Sequence, residues 1–125
     1  MTKFLSIILS ALFLAGSAFA QATATTGEWK IVPNKEVCMV TNMHFARPQI
    51  PVTRDGKTYF GCCENCKATI QNDASSRTAT DPQSKKSVDK ANAVIAANSS
   101  GSVLYFENKA NFEKYLAMAS TGRGK

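Results

Sequence analysis

The sequence predicts a small α+β single domain of two pseudo-repeated β-hairpin–helix units, on three observations. Ile50–Gly61, IPVTRDGKTYFG, sets Asp55-Gly56 between β-forming runs, and a two-residue type I′ turn needs such a pair because both positions take positive φ. Cys62, Cys66 and Ile70 then recur at every fourth position, the spacing of one stripe on a helix. The second half repeats this grammar. SGSVLYFENKANFEKY lies over GKTYFGCCENCKATI with Phe106 on Gly61, Glu107 on Cys62, Asn111 on Cys66 and Tyr115 on Ile70.

Taken in order, residues 1–20, MTKFLSIILSALFLAGSAFA, read as a secretory signal cleaved after Ala20. One lysine precedes an apolar run too short to span a bilayer, and Ala18-Phe19-Ala20 is a small-x-small cleavage pattern. Cleavage leaves 105 of the 125 residues, enough for one modest core, with no stable membrane anchor. The expected compartment is the periplasm or the exterior. Residues 21–34 are expected as a flexible leader, although Glu28–Val40 carries enough Trp, Ile and Val to dock as extended chain.

Residues 35–74 form the first unit: the hairpin, with Pro51 at the start of an edge strand, then a helix over Cys63–Asn72. Residues 75–119 form the second unit, packed on the first because neither alone would bury much apolar surface. Asn72–Ser87 is a polar joint, Ala91–Ala97 and Ser102–Phe106 are strands around an Asn98–Gly101 turn, and Asn108 caps a closing helix. Residues 120–125 are expected as a disordered tail.

Charge excludes one class of partner. The whole chain has 15 basic and 9 acidic side chains, but the basic residues are scattered singly apart from Lys85-Lys86. A nucleic-acid surface needs a basic stripe with aromatics interleaved, which is absent. The chain also lacks a Ser–His–Asp set and a glycine-rich phosphate loop, and its one histidine leaves few parts for hydrolytic chemistry. No enzyme activity is expected.

The chemistry lies in four cysteines: Cys38, Cys62, Cys63 and Cys66. In an oxidising compartment an even count suggests disulfides, which would make the protein a stapled, non-catalytic interaction module. Cys63-x-x-Cys66 has the spacing of a thiol–disulfide redox pair, although it does not follow the first strand of a βαβ unit. Metal binding is the third reading and the one preferred here. Cys62 and Cys66 point the same way one helical turn apart, and the helix N-terminus favours thiolate. The intervening hairpin can bring Cys38 alongside them. Sulfur donors select soft or borderline ions: Cu(I) is favoured and zinc comes next, one ion per chain, with Cys63 or His44 available as a fourth donor. Met39 and Met43 add soft atoms but read as packing, as do Tyr59, Phe60, Tyr105 and Phe106.

Cys38, a gap of about two dozen residues, and Cys62-x3-Cys66 at a hairpin-to-helix junction resemble the TRASH/YHS family of small heavy-metal-binding domains. KTYFGCCENCKATI is similar to that family's tyrosine-bearing strand, cysteine pair and short helix, and DPQSKKSVDKANAV with SVLYFENKANFEKY looks like a degenerate copy. The resemblance implies that Cys38, Cys62 and Cys66 are the ligands. It implies that Ser84, Glu107 and Asn111 stand for the cysteines of the second copy. It also implies metal sensing, trafficking or resistance, often of copper, with a metal-handling protein of the periplasm as a candidate partner.

Overall fold

The computed structural model describes residues 28–122; residues 1–20 (the expected signal), 21–27 of the expected leader and 123–125 of the expected tail lie outside the described residues. Asp55 and Gly56 take φ of 51° and 73°, the doubly positive turn expected, and join β4 (Ile50–Arg54) to β5 (Lys57–Gly61) with Arg54 opposite Lys57. Helix α1 (Glu64–Asn72) follows at once, with extended Cys63 as its N-cap. Upstream lie β1 (Lys30–Val32), β2 (Val37–Cys38) and β3 (Met43–His44). Downstream come β6 (Thr78–Thr80), β7 (Ser87–Asp89), β8 (Val94–Ala97), β9 (Val103–Phe106) and α2 (Lys109–Thr121). Among the described residues the result is an α+β domain of short antiparallel hairpins and two helices.

The second unit repeats the first as anticipated: β8–β9 and α2 follow the pattern of β4–β5 and α1. Asn98 makes the turn, its Oδ1 accepting from the Ser100 and Ser102 amides, while Gly101 takes φ of 85°. Asn108 caps α2 by accepting from the Asn111 amide at 2.8 Å.

Three boundaries differ from the sequence reading. Lys30–Val32, inside the expected leader, pairs with β8 as the outer strand of a β1-β8-β9 sheet, because Trp29 and Val32 pack against the core on either side of it. The polar stretch after α1 is not a plain joint, since it carries β6 and the buried Asp81. Helix α2 continues through Thr121, two residues into the expected tail.

One core joins the two units. Val37, Met39, Val52, Tyr59 and Ile70 of the first pack with Val88, Ile95, Val103 and Tyr105 of the second in a single buried cluster. Phe106 anchors a smaller cluster, with ring centroids 5.4 Å from Phe112 and 5.5 Å from Tyr115. Lys57 and Tyr59 of the first unit both donate to Asp89 Oδ2 of the second, at 2.7 and 3.1 Å. None of the described helices is long and apolar enough to cross a membrane.

Candidate metal centre

Three chain segments deliver sulfur to one point. Cys38 ends β2, Cys62 follows β5, and Cys66 sits in the first turn of α1. The Met39 amide donates to the Phe60 carbonyl at 2.8 Å and ties the β2 end to β5. The Sγ atoms of Cys38, Cys62 and Cys66 all lie within 4.8 Å of one another, and Cys62 and Cys66 are 3.6 Å apart. Metal–sulfur bonds of about 2.3 Å in a trigonal or tetrahedral shell put sulfurs about 3.8–4.0 Å apart, so the donor set fits an ion with little movement. Disulfide bonding needs about 2.05 Å, and all four thiols are free.

Gly61 makes the close approach possible. A Cβ at this position would lie 2.9 Å from Cys66 Cβ and 3.3 Å from the Lys67 amide nitrogen. Gly61→Ala is therefore expected to push the first turn of α1 off β5, costing about 1–3 kcal/mol. It should also weaken ion binding through misplacement of Cys66; thermal melting with a metal titration checks both.

The sulfurs differ in charge preference. Burial disfavours a thiolate at Cys38, but the Thr41 hydroxyl and the amides of Thr41, Val40 and Cys62 all point at its sulfur and bring it down to about 7. Burial pushes Cys66 up to about 12, helped by the neighbouring sulfurs of Cys63, Cys62 and Cys38. Cys62 is also raised, first because its thiol hydrogen-bonds Cys38. Of the three, Cys38 is the sulfur that ionises first, and the Cys62 and Cys66 thiols both hydrogen-bond to it.

The other expected donors fare differently. Cys63 is exposed, with Sγ 3.4 Å from Cys66 Sγ, but is not one of the three mutually close sulfurs. The backbone amide and thiol of Cys66 draw it below the ordinary thiol value. His44 is not brought into the cluster. It lies opposite Val37 rather than Cys38 in the β2–β3 ladder, and its Nε2 pairs with Glu36 Oε2 at 3.1 Å. Period-two alternation turns it to the other face, beside Lys30 and Val32. Met39 is fully buried in the core, as its packing role requires.

The second unit holds a counterpart that sequence reasoning misplaced. Asp81, not Ser84, occupies the place of Cys38. Cys38 pairs with Met43, and the Asp81 amide correspondingly donates to the Lys86 carbonyl at 2.8 Å. Both turns carry a left-handed residue four positions on, Asn42 at φ 55° and Lys85 at φ 64°. The amides of Gln83 and Ser84 donate to Asp81 Oδ1 as those of Val40 and Thr41 point at the Cys38 sulfur. The Glu107 amide and Asn111 Nδ2 both donate to Oδ2 at 2.8 Å, in the places of the Cys62 amide and the Cys66 thiol. Asp81 is 0 % exposed. Burial alone would raise its pKa, but these four donors outweigh it and hold the carboxyl below its usual range. With two donors on each oxygen the carboxylate is saturated, so hydrogen bonds do here what an ion can do in the first unit. The available signal was the spacing of Asp81 from Glu107 and Asn111, which nearly matches that of Cys38 from Cys62 and Cys66.

No family model matches the chain, and neither a curated protein nor a solved structure matches it.

Proposed function

We propose that the protein is a non-catalytic binder of one soft metal ion, Cu(I) in preference to zinc, held by Cys38, Cys62 and Cys66. It would act in the periplasm to buffer the ion, pass it on to a metal-handling partner or report its presence. The observation that carries this reading is the convergence of three thiol sulfurs within 4.8 Å from both sides of a hairpin. Thiolate donors select thiophilic ions over Mg or Ca, and three suffice for Cu(I), whereas a closed zinc site wants a fourth ligand. The signal-like first twenty residues and the TRASH/YHS resemblance support the compartment and the role.

Anaerobic titration of the reduced protein with Cu(I) and Zn(II) in competition with a chromophoric chelator tests the proposal; one equivalent of tightly held ion is expected. Uptake must displace the protons of Cys62 and Cys66, the two thiols whose pKa values are raised. Affinity should therefore climb with pH, by about two decades per unit just above neutrality, with roughly two protons released per ion. A pH-independent affinity, or no ion bound, would refute it.

A second reading has its own observation. The exposed Cys63 sulfur 3.4 Å from Cys66 suits thiol–disulfide exchange. In that case Cys63→Ser abolishes exchange with a small disulfide while ion binding through the other three persists.

A further inference from the structure

The first unit's ion loop is completed by a side chain of the second. Lys90 is only 5 % exposed. Its Nζ donates to the Met39 carbonyl at 2.6 Å and to Asn42 Oδ1 at 2.9 Å, and stands 5.0 Å from the centre of the Tyr105 ring. Tyr105 Oη donates to the same Asn42 oxygen at 2.9 Å. Residues 39–42 form the turn whose Val40 and Thr41 amides face the Cys38 sulfur, so Lys90 clamps the backbone that holds this ligand.

The clamp carries an unanswered charge. Among the described residues Lys90 forms no ion pair with a carboxylate. Its partners are a carbonyl, an amide oxygen and a ring, none of them ionised. A buried cation is costly unless an anion balances it. The Met39 carbonyl that Lys90 grips directly follows Cys38 in the chain. Burial works against the ammonium, and negative charge on Cys38 opposes that effect.

We propose that Lys90 is the counter-ion of the thiolate centre and makes it discriminate between ions by charge, favouring a monovalent over a divalent soft ion. This rests on the metal-binding reading above and gives the thiol-free unit a part in the site. Three thiolates around a monovalent ion keep two net negative charges, whereas around a divalent ion they keep one. A positive charge held on the Met39 carbonyl, one residue from Cys38, therefore stabilises the monovalent complex more. Lys90 is a positioning and specificity-determining residue that touches no ion.

The test compares Cu(I) and Zn(II) affinities, by chelator competition, in the parent, Lys90→Gln and Lys90→Arg, with thermal melting as a control for folding. Glutamine keeps a donor toward the Met39 carbonyl and removes the charge; Lys90→Met serves in its place if the glutamine variant does not fold. The expected result is a Cu(I) loss that exceeds the Zn(II) loss on the order of tenfold, restored by arginine. Equal losses for both ions would make Lys90 a structural clamp alone and overturn the inference, as would unchanged affinities. A parent that binds neither ion overturns the underlying reading and this inference with it. A parent that binds both, without a charge-dependent difference in the variants, overturns only this one.

Discussion

Replacing Cys38 by serine is expected to weaken Cu(I) binding about a hundredfold or more. Structural sulfur-ligated sites gain about 10–16 kcal/mol on binding, so one ligand among three or four carries roughly 3 kcal/mol. Serine would still accept from the Val40, Thr41 and Cys62 amides that point at the native sulfur, so the apo fold should survive. Its hydroxyl, however, does not ionise near neutrality and is a hard donor. Cys62→Ser and Cys66→Ser should resemble it. His44→Ala should leave affinity unchanged, because its ring pairs with Glu36 on the opposite face of the β2–β3 ribbon. Chelator competition on the reduced variants checks the series. Similar losses at His44 and Cys38 would mean that the three sulfurs are not the ligands.

The largest effect on folding is expected at Asp81. Asp81→Ala removes the acceptor of four hydrogen bonds inside the protein and strands the amides of Gln83, Ser84 and Glu107 together with Asn111 Nδ2. A fully buried unsatisfied donor costs about 1–3 kcal/mol; these four are part-buried, so relaxation and water entry bring the sum to about 3–5 kcal/mol. For a domain of this size that is a fall in melting temperature on the order of 15 °C. Asp81→Asn should also destabilise, since its NH2 would face the Glu107 amide and Asn111.

The pH dependence follows from the same contacts. Asp81 has a folded-state pKa below its unfolded value, so its stabilisation is full above the unfolded value of about 3.9. It is lost as pH falls through the folded value. The parent should therefore lose stability on acidification below about pH 4, and Asp81→Ala should lose less over that range. Denaturant melts at neutral and acid pH measure this. A variant with parental stability and parental acid sensitivity would show that Asp81 does not hold the second turn.

The metal-free way in which Asp81 closes its turn clarifies the division between the two units. In each, a turn with a left-handed residue directs successive amides at one anionic side chain, and a helix N-terminus and strand end supply the remaining partners. The first unit fills the position with a cysteine whose sulfur ionises readily and can exchange donors for an ion. The second fills it with a carboxylate already saturated by N–H groups.

What the sequence determined by itself is local. The Asp55-Gly56 turn, the Cys62–Cys66–Ile70 stripe, the Asn108 cap and the repeated hairpin–helix order are each written within a few residues. The physics behind them, φ preference, helical spacing and capping, acts over the same range. Cys62 and Cys66 were certain neighbours for that reason. Tertiary structure decided the rest. Whether Cys38 joined them depended on how the β2 end docks on β5, and the turn to the other face that removes His44 depended on ladder register. Hydropathy places an aspartate and a lysine outside, yet Asp81 and Lys90 are inside. Their burial is tolerable because, besides the local Gln83 and Ser84 amides, the remaining donors to Asp81 and both acceptors of Lys90 arrive from segments 26 to 51 residues away in the chain, a convergence that no local pattern encodes.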